Sequence, residues 1–273
     1  MTHSTVRRPV VRVTADGRVT RRQDTLATEE PLELQLDGEP FTTTMRTPGH
    51  DLDLALGFLV GEGVVARPDD VVRAAHCPDA DGGRNHNVVT VDLAPHVARP
   101  APARHRHVTS ACGVCGTATV DEIRARSPHD LWADGVRVTA DVLARLPDRM
   151  RDAQRVFERT GGLHAAALFT ADGRLLCLRE DVGRHNALDK VVGWALAQGR
   201  LPLAGHVLQV SGRASFELAQ KAWLAGCPVL AAVSAPSSLA VDLAADAGMT
   251  LVGFSRGDRL TVYTGTERVT TTG

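Results

Sequence analysis

Apolar and polar residues alternate along Leu32-Glu33-Leu34-Gln35-Leu36, and the run ends in the turn pair Asp37-Gly38. A period of two predicts a half-buried strand entering a hairpin, with the threonine-rich run Phe41 to Arg46 as its return strand. Thr47-Pro48-Gly49-His50-Asp51 reads as a turn into a helix, capped by Thr47 or Asp51. Leu52, Leu54, Ala55, Leu56, Leu59 and Val60 form its apolar face, and it ends near Gly61 or Gly63. Val88 to Leu93 alternates again and predicts a further strand. Residues 1–25 show no such period and read as a polar, partly disordered lead-in. Residues 94–107, rich in Pro, Ala, Arg and His, read as a mobile connection.

Short helices are predicted over Asp121 to Ser127 and Asp141 to Arg151. From about Phe157 the pattern is more regular. Ala165 to Phe169 and Leu175 to Leu178 predict two strands around the turn Ala171-Asp172-Gly173. Helices follow over Ala187 to Gln198, Ala214 to Ala225 and Leu239 to Ala247. They alternate with strands over Val207 to Val210, Val229 to Val233, Thr250 to Phe254 and Leu260 to Tyr263. That order predicts an α/β sheet, at least partly parallel, with helices packed on it. The chain divides into the lead-in (1–25), a smaller β-rich N-terminal α+β part (26–107), a cysteine loop with connecting helices (108–156) and an α/β domain (157–273).

With 273 residues the chain can bury a substantial core. A net charge of −1 and 4% aromatic residues argue against a nucleic-acid partner. Five cysteines, an odd number, do not make a secreted disulfide framework. Met1 to Val10 is polar and basic, unlike a signal peptide, and no apolar run is long enough to span a bilayer. A cytoplasmic protein with reduced thiols is expected.

Chemistry concentrates first in Thr109-Ser110-Ala111-Cys112-Gly113-Val114-Cys115-Gly116. Small residues and glycines leave these two thiols accessible, and nearby backbone N–H groups favour the reactive thiolate. Sulfur chemistry, metal binding and disulfide exchange are the options. Zinc would have to recruit His105 and His107 from the connection, since Cys77, Cys177 and Cys227 stand alone. A redox pair of thioredoxin type should open a helix after a strand, which this loop does not.

Three polar turns follow strands in the second half: Ser211-Gly212-Arg213, Ser234-Ala235-Pro236-Ser237-Ser238 and Phe254-Ser255-Arg256-Gly257-Asp258-Arg259. Free N–H groups at helix starts, hydroxyls and arginines suit an anion, and ligands of open α/β sheets collect beyond the strand C-termini. A phosphate-bearing, nucleotide-like ligand is expected, with helix capping as the plainer reading. Arg179-Glu180-Asp181-Val182-Gly183-Arg184-His185-Asn186 reads either as a site wall, with Arg184 and His185 facing a ligand or thiol, or as a solvated loop. His164, after the pair Gly161-Gly162, is a further candidate.

These motifs, in this order, resemble the FdhD family, the sulfur carriers needed for formate dehydrogenase activity. The resemblance also takes in Arg46 to Asp51, Leu56-Gly57-Phe58-Leu59-Val60-Gly61-Glu62-Gly63, Thr160 to Ala166 and Glu180 to Lys190. It implies a sulfurtransferase in which a cysteine desulfurase loads a persulfide onto Cys112, with Cys115 as accessory thiol. The sulfur would pass to the molybdenum cofactor, the bis-molybdopterin guanine dinucleotide form, for formate dehydrogenase. Phe254 to Arg259 would hold that cofactor, or a GDP- or GMP-like nucleotide, with Ser211, Gly212, Arg213 and His185 beside it. A homodimer and a cytidine-deaminase-like mixed sheet with flanking helices are implied too. Deamination is not, because Ala165 and Ala166 follow His164 where that chemistry needs a glutamate, and the cysteine pair precedes the histidine. Ala111 stands where many relatives carry serine. The alternative reading is a cofactor-binding chaperone whose cysteines form a redox or zinc switch.

Overall fold

The computed structural model describes residues 3–78, 83–100, 107–108, 127 and 129–271. Leu32, Leu34 and Leu36 bury one face of β3 (Glu30–Leu36), which turns at Asp37-Gly38 into β4 (Glu39–Arg46). With β5 (Val71–Pro78), β6 (Arg84–Leu93) and β7 (His107–Val108) they form a five-stranded sheet in the order β5-β6-β3-β4-β7. Helix α1 (Asp51–Gly61) packs on it.

A second sheet takes the order β10-β9-β11-β12-β13-β14. Its strands are β9 (His164–Thr170), β10 (Leu175–Asp181), β11 (His206–Val210), β12 (Val229–Ala232), β13 (Thr250–Arg256) and β14 (Arg259–Thr264). The three middle strands β11, β12 and β13 are parallel, and the outer pairings are antiparallel. Alternation along these strands divides the core. Ala166, Leu168, Leu208 and Leu230 face α4 (Arg184–Ala197), α5 (Phe216–Leu224) and α6 (Ser238–Ala247). Ala165, Ala167, Phe169, Val207 and Val229 face α2 (Ala140–Ala153). A short α3 (Arg155–Thr160) follows α2, and β8 (Val138–Thr139) pairs with β15 (Val269–Thr270). Helix α4 is buried almost all round, as a helix between two layers must be, lying between the six-stranded sheet and α1.

Two expectations need correction. Most of the polar lead-in is ordered: β1 (Thr5–Val13) and β2 (Val19–Ala27) pair through nine registered residues. Valine and threonine favour the extended backbone. The hairpin lacks a fully buried face, with Val11, Val13 and Val19 at 57%, 64% and 61% exposure, so no period of two marked it. The connection after Leu93 is packed as far as residue 100. Ala94 and Val97 are buried, and Arg99 binds Asp37 at 2.9 Å while capping the carbonyls of Leu93, Ala94 and Val97. The edge strand β5 and the six-residue α3 had no pattern to announce them. The helix expected over Asp121 to Ser127 lies outside the described residues, Ser127 excepted.

Candidate functional site

Because β11, β12 and β13 are parallel, their C-terminal turns share one edge. Ser234 N–H donates to Gly212 O, and Phe254 N–H donates to Ser234 O, both at 3.3 Å. Ala214 forms a bridge with Pro236. The three polar turns are therefore neighbours. His164, starting β9, lies against the first of them: a Cβ on Gly212 would sit 3.7 Å from His164 Nδ1 and 4.0 Å from Arg184 Cδ. Arg184 Nε is buried with no hydrogen-bond partner among the described residues. Burial and the nearby Arg184 charge hold the His164 pKa below its ordinary value, so this ring is neutral near pH 7.

A cleft of 610 Å³ opens beside this edge, a size typical of small-molecule sites. His164, Ser211, Val233 and Arg256 come to it from the strand ends. Asp148, Arg151, Gln154 and Phe157 come from α2 and α3. Sequence reasoning missed these four, because the helix breaks at Gln154 and no single helical face joins them.

The expected site residues separate by position. Ser211 Oγ accepts from Ala165 N–H at 2.9 Å, which anchors the turn. Of Phe254 to Arg259, Arg256 lines the cleft. Phe254 (φ 50°) and Gly257 (φ 61°) take left-handed conformations that shape the turn. The side chains of Asp258 and Arg259, 3.5 Å apart, are 90% and 89% exposed, and Arg213 is exposed as well. Ser255 is fully buried and turns into the fold, donating to Leu143 O at 2.8 Å. Pro147, four residues on in α2, has no N–H to give that carbonyl, so Ser255 supplies the missing donor. Ser255→Ala is expected to cost about 1–3 kcal/mol, seen as a lower urea midpoint. Restoring a backbone donor with Pro147→Ala in the same chain should recover part of the loss.

His185 is 8% exposed, with Nε2 3.3 Å from Ser215 Oγ and 3.4 Å from Glu217 Oε2. Burial first, then the charges of Arg184 and Lys221 and the neighbouring His164, push its pKa down to about 3. It is a neutral hydrogen-bonding ring between α4 and α5, so its contact with Glu217 is not an ion pair. Burial raises the Glu217 pKa in turn.

The dense run 179–186 proves to be a buried joint, not a solvated loop. Arg179 binds Asp53 at 2.9 Å, and Glu180 caps α3 through the N–H groups of Val156 and Phe157. Asp181 accepts from Thr47 N–H at 3.1 Å and pairs with Lys190 at 2.6 Å. Asn186 donates to Met45 O. Arg46, with no exposure, holds Asp51 through two contacts of 3.1 Å. These bonds tie β4 and α1 to the end of β10 and thereby fix Arg184 and His185 at the edge.

Cys112 and Cys115 lie outside the described residues. Burial pushes the thiols of Cys177 and Cys227 up to about 12, so neither is a nucleophile near neutral pH. Among the described residues no group of three or more His, Cys, Asp or Glu side chains is placed to hold a metal. No described helix is long and apolar enough to cross a membrane.

Known proteins align with the chain almost end to end. It is 57% identical over 269 residues to the sulfur carrier protein FdhD of Nocardia farcinica, covering 97% of this chain and 95% of that one. The protein of the same name from Streptomyces coelicolor is 59% identical over 271 residues, with 97% and 95% coverage. The Mycobacterium tuberculosis protein, also so named, is 53% identical over 277 residues, with 99% and 100% coverage. In fold, the chain matches a crystal structure from Desulfotalea psychrophila, described as that of a formate dehydrogenase accessory protein. The TM-score is 0.77 at 22% identity, over 98% of this chain and 100% of that one. The FdhD/NarQ family model matches residues 27–270, and the chain belongs to that family.

Proposed function

We propose that the protein is a sulfur carrier for formate dehydrogenase maturation. In this reading the Cys112 thiolate attacks the outer sulfur of a cysteine desulfurase persulfide. A new S–S bond forms at Cys112, the donor's S–S bond breaks, and the donor cysteine leaves as a thiolate with no net oxidation. The accessory thiolate then attacks Cys112 Sγ: a disulfide forms, the bond to the outer sulfur breaks, and that sulfur leaves at the sulfide level for the molybdenum cofactor, the bis-molybdopterin guanine dinucleotide form, as cargo at the strand-end edge. Cys115 serves as the accessory thiol.

One observation supports the cargo end of the reading most directly. Arg256, Ser211 and the neutral His164 line the 610 Å³ cleft at the strand ends, and the unpartnered Nε of Arg184 belongs to a side chain packed near Gly212 on the same edge. Guanidinium groups suit phosphate oxygens, and an orphaned buried donor calls for an acceptor. The names of the relatives support the sulfur end.

Intact mass after incubation with a cysteine desulfurase and cysteine tests the relay. Wild type and Cys115→Ala should gain about one sulfur atom, removable by thiol reductant, and Cys112→Ala should not. No gain in wild type, or the same gain in all three, would sink the relay and favour the chaperone with switch cysteines.

A further inference from the structure

The hairpin β1–β2 adds nothing to either core, since none of its strand residues is buried. It joins the body at its base. Arg159 of α3 donates to Thr5 Oγ1 at 3.4 Å, and a Cβ on Gly162 would lie 3.9 Å from Ala27 Cβ. The strands carry its far end about 25–30 Å from there. The hairpin ends at Ala27, where the span matched by the family model begins. A two-stranded hairpin is marginally stable by itself in water, so a long bare one calls for a surface to lie against.

Alternation and register sort its side chains into two faces. Val11 and Val13 share one face, with Arg21 opposite Val11, Val19 opposite Val13, and Arg7 nearer the base. The three valines are each more than half exposed, so the hairpin does not fold back onto its own body. No carboxylate stands among the paired residues of this face. Asp24 is on the other one, 3.5 Å from Arg22. Six arginines against two aspartates give Thr5 to Ala27 a charge of +4 on a chain of −1, which leaves −5 for the rest.

The matching surface is on α6. Leu239, Asp242 and Asp246 are exposed at intervals of three and four residues, which makes them one stripe of that helix. Leu239 is 55% exposed, and α6 contains no Lys or Arg. Leu239 and Asp242 are spaced by about 5 Å, as are the cross-strand neighbours Val11 and Arg21. We propose that the hairpin of one protomer lies along α6 of a second copy of this chain, its valines on Leu239 and Arg21 beside Asp242. Two-fold symmetry makes this contact twice in each dimer. The valines supply apolar contact, and the opposite charges fix which helix the hairpin meets.

Sedimentation equilibrium of the full chain at low and high salt tests the contact. Wild type should form a dimer that loosens as salt rises. Arg21→Glu and Asp242→Arg should each weaken the dimer about tenfold, because each sets like charges together twice. Combined, the two substitutions restore opposite charges in reversed order and should return the affinity to within about twofold of wild type. Val13→Ser should weaken the dimer at both salt concentrations. A monomeric wild type would overturn the proposal and leave the hairpin to an acidic surface of a different protein. A dimer indifferent to Arg21→Glu, or a double variant no tighter than the single ones, would overturn it as well and place the interface elsewhere.

Discussion

Gly193→Ala and Gly57→Ala are each expected to lower stability by about 2–3 kcal/mol and the melting temperature by about 4–12 °C. Helices α1 and α4 cross with their backbones in contact. A Cβ on Gly193 would fall 1.8 Å from Asp53 O and 2.6 Å from Gly57 N. One on Gly57 would fall 1.8 Å from Asp189 O and 2.8 Å from Gly193 N. Turning a side chain relieves neither overlap, because the obstructing atoms are backbone, so the helices must separate. Alanine's better helix propensity returns about 1 kcal/mol, less than the separation costs. The same movement displaces Arg184 and His185 at the start of α4. Gly135→Ala is the control, since nothing lies within 4 Å of its added Cβ. Thermal unfolding of the three variants decides the matter, and a Gly193→Ala protein melting with wild type would refute the contact.

Elements with a buried face were the legible ones. Leu32-Leu34-Leu36 marked β3 because alternate residues meet the core, and the parallel strands showed as short apolar runs between turns. Hairpin β1–β2 escaped because its valines stay exposed. Long-range pairing was hidden for a different reason. Asp181 reaches Thr47 across 134 residues of sequence. Without that partner, the charges of the 179–186 run resemble a solvated loop or a site wall, although several of them are internal bonds of the fold.

The candidate site shows the same division. That three polar turns would meet at one edge followed from strand order alone. Which side chains would point into the cleft did not. Arg256 lines it while its neighbour Ser255 serves the carbonyl freed by Pro147, a distinction of one residue that strand register decides. The contribution of α2 and α3 depended on where those helices dock, which no local pattern in Asp148, Arg151, Gln154 and Phe157 specifies.

Lys221→Met is expected to destabilise the protein by about 3–5 kcal/mol near neutral pH and above, and by less in acid. The Lys221 ammonium group donates to both oxygens of Asp189, at 2.8 and 3.0 Å, with both side chains at most 3% exposed. Glu217 lies 3.9 Å away, and the Phe58 ring centroid 5.3 Å away. Removing the cation strands a carboxylate in the interior, which costs more than the intact pair contributes. Burial already raises the Asp189 pKa from 3.8 to about 6, with Lys221 pulling the other way. A carboxyl whose folded pKa exceeds its unfolded one stabilises the fold below the unfolded value and loses that contribution as pH rises through the folded value. Without Lys221 the folded pKa climbs further, so the variant's deficit should be full at about pH 8 and shrink at about pH 5, as Asp189 takes up a proton. Asp189→Asn combined with Lys221→Met removes the stranded charge and should recover most of the loss. Urea midpoints at the two pH values provide the check: an equal deficit at both, or a double variant no better than the single one, would show that Lys221 acts through its packing instead of its charge.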